Sequence, residues 1–104
     1  MSWIILIVAG LFETAWALAL KESDGFSKVQ PTVVFLVTVV ISMALLAVAL
    51  KELPVGTGYA VWTGIGAVGA AVAGMVWLGE PAVASRIVPI GLIAVGITWL
   101  ALAE

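Results

Sequence analysis

The chain has 104 residues, four basic and six acidic side chains, and a net charge of −2. It is 64% hydrophobic and 10% charged, with mean hydropathy +1.31, whereas soluble domains carry about 25% charged residues. This composition excludes a small soluble globule, whose large relative surface needs polar cover, and without a basic run nucleic acid is excluded as a partner.

The first apolar run covers residues 2–20 and ends at the polar break Lys21-Glu22-Ser23-Asp24-Gly25-Phe26-Ser27-Lys28, closed by Pro31. A second run, 32–50, ends at Lys51-Glu52-Leu53-Pro54. A third, 56–78, ends at Gly79-Glu80-Pro81 through Arg86, and the fourth covers 85–103. Each is close to the ~20 residues that a helix needs to cross a ~30 Å hydrocarbon layer. None alternates with period two, which removes a β-barrel. A segment in lipid must satisfy its own backbone hydrogen bonds, so helix remains. The expected fold is therefore all-α and integral to the lipid bilayer, one domain over 1–104 with four transmembrane helices. The first run lacks a basic leader and carries Glu13, which argues against a cleaved signal peptide.

Four spans put both termini on one side. The first and third loops carry Lys21, Lys28 and Arg86, against Lys51 and the amino terminus on the other side. That bias is weak, and two readings stay open: one orientation with the first and third loops cytoplasmic, or dual topology.

With no Cys and no His, disulfides, thiol chemistry and His- or Cys-ligated metals are excluded. No metal and no cofactor is expected, and no enzymatic activity. Proton chemistry falls to the carboxylates, and Glu13 is the one ionisable residue deep inside a span. A charge there costs roughly 2.5–3.5 kcal/mol on insertion scales. Lys21 lies eight residues on, about 12 Å of helix rise, too far to neutralise it. The alternative to a functional carboxyl is a neutral Glu that joins helices by hydrogen bonding.

Leu6, Gly10, Glu13 and Ala17 share a helix face, with Gly10 leaving open space one turn before Glu13 and Trp16 one turn after it. Tyr59 and Trp62 share a face of the third run. Trp3, Trp77 and Trp99 fall near span ends, the usual interfacial place. Trp16 and Trp62 lie deeper, where an indole N–H needs an acceptor such as Glu13. An aromatic-walled acidic pocket suits a cation, and simple helix packing explains the same spacing. Ser42, one turn after Thr38, either bonds back to its own helix or holds Glu13 in place. The small residues Gly66, Ala70 and Gly74 allow close helix approach, and Gly64 with Gly66 is a candidate hinge.

These residues carry a resemblance. Met1-Ser2-Trp3-Ile4-Ile5-Leu6-Ile7-Val8-Ala9-Gly10, Glu13, Trp16, Lys21 and Gly25-Phe26 resemble the small multidrug resistance family. Leu53-Pro54-Val55-Gly56-Thr57, the stretch Tyr59 to Gly69, Gly79-Glu80-Pro81 and Arg86 extend the resemblance along the whole chain. Trp16, and Val39 in place of a Tyr, are similar to the guanidinium-exporter subtype. The resemblance implies a multi-pass protein of the cell inner membrane, an antiparallel homodimer, and a site shared by substrate and protons at Glu13 of both copies. It implies that Gly10, Trp16, Ser42, Tyr59 and Trp62 line or support that site, that Ser42 and Trp62 donate hydrogen bonds to Glu13, and that Tyr59 helps gate it. Departures from the pattern are Glu22 and Asp24 in the first loop, Ala101 for a common Lys, and Thr14-Ala15 for a bulkier aliphatic pair. None of them is expected to touch the site residues. Some family members work only as a heterodimer with a paired partner.

The expected activity is proton-coupled export of guanidinium or small guanidinyl cations by alternating access. Two alternatives stand beside it: a proton-coupled multidrug exporter of quaternary ammonium or aromatic cations, and a non-transporting or proton-carrying helical membrane subunit.

Overall fold

A computed structural model describes residues 1–103. Four helices follow one another: α1 (Ser2–Glu22), α2 (Val29–Ala49), α3 (Val55–Trp77) and α4 (Ala84–Ala103). Each is long and apolar enough to cross a membrane, and no strand occurs among the described residues. α2 starts at Val29, three residues before the start expected from the polar break. Pro31 thus sits inside its first turn rather than before it. There the missing N–H costs nothing, because the first-turn donors have no intrahelical acceptor.

The α1–α2 connection is tight. The Ser23 hydroxyl donates to the Leu20 carbonyl at 2.7 Å and accepts from the Phe26 N–H at 3.1 Å. The chain reverses through Asp24, Gly25 and Phe26, all with positive φ. Two of these three are not glycine, so the buried Ser23 and its bonds hold them there.

α1 is the central helix. It packs on α2 and on α3, whereas α2 and α3 touch little and α4 packs only on α3. The result is a slab, 40 × 34 × 17 Å, rather than a closed bundle. Its core is small: Leu6 and Ala9 of α1, Leu46 and Ala49 of α2, Val61 and Trp62 of α3. Large aliphatic side chains such as Ile4, Leu36, Val40, Val76, Leu92 and Val95 point outward. In lipid that exposure carries no penalty. The helices are instead joined by close packing and by interhelical hydrogen bonds.

Glycines permit that packing. A Cβ at Gly10 would lie 2.7 Å from Ile65 Cβ, so α3 fills the space beside Gly10 that the sequence spacing left open. A Cβ at Gly64 would run into Ile97 of α4, 3.1 Å from its Cδ1 and nearer still to Cγ2.

The ends are tied as well. The Ser2 hydroxyl donates to Glu52 at 2.8 Å, which holds the start of α1 against the α2–α3 loop. At the opposite end Arg86 pairs with Glu80 at 2.9 Å, and the Glu80 carboxylate lies against Gly74. Two polar latches therefore close the two ends of the slab.

Gly64→Ala should lower stability by about 1–3 kcal/mol, the usual cost of overpacking. Adding Ile97→Ala should recover part of that loss. Unfolding titrations of both variants in lipid or detergent provide the check.

Candidate cation and proton site

Glu13 lies at the middle of α1 and turns toward α3. Its side chain rests on Gly66: a Cβ there would come within 2.6 Å of Glu13 Cγ and closer still to the carboxyl group. Only glycine at 66 leaves the carboxyl this seat. Glu13 Oε1 is buried and has no hydrogen-bond partner among the described residues. The ion pair found among those residues, Glu80 with Arg86, lies in the third loop and not here. The middle of the membrane thus holds an acceptor oxygen with neither donor nor cation. Such a group costs free energy unless something else meets it.

Trp16 stands one turn further along α1. Its ring packs edge-on against Phe35 of α2, with centroids 5.9 Å apart, and Phe35 in turn meets Phe26 at 5.5 Å. Trp16 therefore faces α2 while Glu13 faces α3. The indole Nε1 is buried and also lacks a partner, so the donation to Glu13 anticipated from sequence is not made within one chain.

Ser42 and Trp62 form a different bond set from the one expected. Ser42 is fully buried; its hydroxyl donates to the Ala9 carbonyl of α1 at 2.7 Å and accepts from Trp62 Nε1 at 3.0 Å. Neither residue donates to Glu13, and Ser42 does not bond back to its own helix. Thr38, one turn earlier, does so, donating to Val34 at 2.7 Å. The physical reason is reach. Ser42 faces α1 one turn before Glu13, at the carbonyl that the helix ladder assigns to the Glu13 N–H. The relay from Trp62 through Ser42 to Ala9 thereby clamps α3, α2 and α1 together just below the carboxyl. Tyr59 is exposed, and its ring lies 5.5 Å from that of Trp62.

α3 runs unbroken through Gly64 and Gly66. Both glycines receive side chains, Ile97 at the first and Glu13 at the second.

One departure does touch the site residues, contrary to expectation. The Thr14 hydroxyl lies 3.3 Å from the Gly66 carbonyl and 3.5 Å from the Gly10 carbonyl, and Gly69 makes room for it. The signal was present in the sequence: a hydroxyl next to Glu13, opposite a glycine-rich helix. Treating residue 14 only as a change of size hid it.

Fold and site together define a four-helix membrane protein organised around one intramembrane carboxyl group. The chain belongs to the Small Multidrug Resistance family, whose model, described as Small Multidrug Resistance protein, matches residues 1–93. The chain is 57% identical over 102 residues to the Guanidinium exporter of Escherichia coli (strain K12), covering 98% of this chain and 97% of that one. The Guanidinium exporter of Yersinia pseudotuberculosis is 56% identical over 104 residues, the full length of both. That of Salmonella typhimurium is 56% identical over 102 residues, 98% of this chain and 97% of that one. The protein is accordingly a multi-pass protein of the inner membrane, in a family of transporters.

Ser42→Ala should destabilise the fold more than Trp62→Phe. The first strands the Trp62 N–H in the core, a cost of about 1–3 kcal/mol. The second removes the donor and leaves Ser42 bonded to Ala9, a loss near the ~0.6 kcal/mol average for hydrogen bonds inside membranes. Parallel unfolding measurements on the two variants check the order.

Proposed function

We propose that the chain exports guanidinium and small guanidinyl cations in exchange for protons, with Glu13 as the group that binds both. The observation that carries this reading is the buried Glu13 oxygen with no donor and no cation among the described residues. Close relatives named as guanidinium exporters supply the substrate class.

The chemistry fits. Guanidinium is planar and weakly hydrated, and it offers donors in a fork that matches a carboxylate through two parallel hydrogen bonds. A proton and this cation satisfy the same oxygens, so each binds only as the other leaves. That exclusion couples the two fluxes.

The working unit in this reading is an antiparallel homodimer. α4 has no buried residue in the single chain and packs on α3 alone, so one copy leaves the far side of a whole helix without protein cover. The loop charges are nearly balanced, which suits insertion both ways round. Two Glu13 carboxyl groups brought close cannot both stay ionised cheaply and titrate as a coupled pair. Two copies in opposite orientation reproduce the inverted symmetry that larger transporters build within one chain. Exchange of the two copies' conformations then opens the site to the other face of the membrane. Gly10, Trp16, Ser42, Tyr59 and Trp62 support the site, Tyr59 at its opening, and Gly64 and Gly66 are the flexible points of α3. The unpartnered Trp16 N–H supports a place for that residue in the pocket wall.

In proteoliposomes a proton gradient should drive guanidinium accumulation, and Glu13→Gln should abolish it. A Gln variant that still concentrates guanidinium would overturn the reading. Tighter binding of a tetraalkyl ammonium than of guanidinium would favour the broader multidrug alternative. Apparent guanidinium affinity should weaken as pH falls, approaching roughly tenfold per pH unit for each proton displaced. Binding isotherms at a series of pH values measure that slope.

A further inference from the structure

We infer that Thr14 is a positioning residue for the exchange site, its hydroxyl pinning α1 to α3 so that the Glu13 carboxyl stays seated on Gly66. The inference rests on the reading of Glu13 as the exchange group.

The case begins with register. Consecutive residues of α1 straddle one residue of α3. Glu13 lies over the Gly66 Cα, and the Thr14 hydroxyl approaches the Gly66 carbonyl at 3.3 Å. The same hydroxyl lies 3.5 Å from the Gly10 carbonyl of its own helix, so one hydrogen is shared between two acceptors on two helices. Little more than one turn of α3 is shaped for this contact: Ile65 fills the space beside Gly10, Gly66 takes Glu13, and Gly69 takes Thr14. A Cβ at Gly69 would sit 3.1 Å from Thr14 Cβ and collide with the hydroxyl oxygen. The seat of Glu13 and the pin beside it are thus one packed unit.

Both Thr14 distances are longer than the ~2.7–2.8 Å of a strong hydroxyl bond. The pin is weak and can be exchanged, as a helix contact that must yield during transport requires. In lipid such bonds have small individual effects, so their loss alters the population of the seated carboxyl without unfolding the chain. Valine has the shape of threonine without its hydroxyl, and serine keeps the hydroxyl without the methyl group. This pair separates the bond from the packing.

The test uses the full chain in lipid bilayers, with 13C signals of the Gly66 carbonyl and the Glu13 carboxyl as readouts. Thr14→Val should move both signals and weaken apparent guanidinium binding by about two- to fivefold, the scale of one weak intramembrane bond. Thr14→Ser should keep both signals and affinity near those of the parent. The inference is overturned if Thr14→Val leaves the Glu13 signal in place, or if Thr14→Ser is impaired like Thr14→Val, since the methyl group would then be what matters. If guanidinium leaves the parent Glu13 signal unchanged while Thr14→Val still moves it, positioning stands and the guanidinium reading falls.

Discussion

A carboxyl group in hydrocarbon must find either a proton or a positive charge, and every notable feature of this chain is arranged around that demand. Glu13 reaches α3 at a glycine, and no basic side chain shares its depth among the described residues. A structural ion pair at this position would have removed the demand by satisfying it permanently. The fold instead leaves the oxygen buried and unpaired, an energetic cost that a neutral packing residue would never incur. Basic residues are confined to the loops and their edges, where water already solvates them.

The supporting polar groups follow the opposite rule. Ser42 and Trp62 are buried and fully engaged, with each other and with Ala9. They spend their hydrogen-bonding capacity on joining three helices rather than on the carboxyl. A tightly bonded clamp thus lies next to an unsatisfied group, and it holds the surrounding helices together there. The clamp matters more in lipid than it would in water, because apolar burial supplies little force between helices there. The small residues of α3 belong to the same economy: side chains from α1, α4 and the third loop fill them, including Glu13, Ile97 and Glu80.

The slab shape has a related consequence. α4 touches α3 alone, and none of its residues is buried. A single chain therefore has its organised polar centre along α1 and a helix at its margin with no protein neighbour on its far side. The latches at the two ends, Ser2 with Glu52 and Arg86 with Glu80, tie the ends of neighbouring helices on either side of that polar centre.

Much of this could be read from residue order. Apolar runs of membrane length separated by short polar breaks dictate four spanning helices, because hydrocarbon permits little else. A lone acid within such a run stands out as the candidate functional centre for the same reason, since its cost demands an explanation. Residue order also carried the family, through the stretch from Tyr59 to Gly69. It could not say which way side chains point across helix interfaces. Ser42 and Trp62 were expected at Glu13, yet Ser42 meets Ala9 and Trp62 meets Ser42; Gly10 was expected beside open space and holds Ile65. Thr14 passed as a size change until α3 came within reach of its hydroxyl. Spacing along one helix assigns a residue to a face. Only the rotation and register of the neighbouring helix decide which partner that face meets, and those depend on packing between residues far apart in the chain.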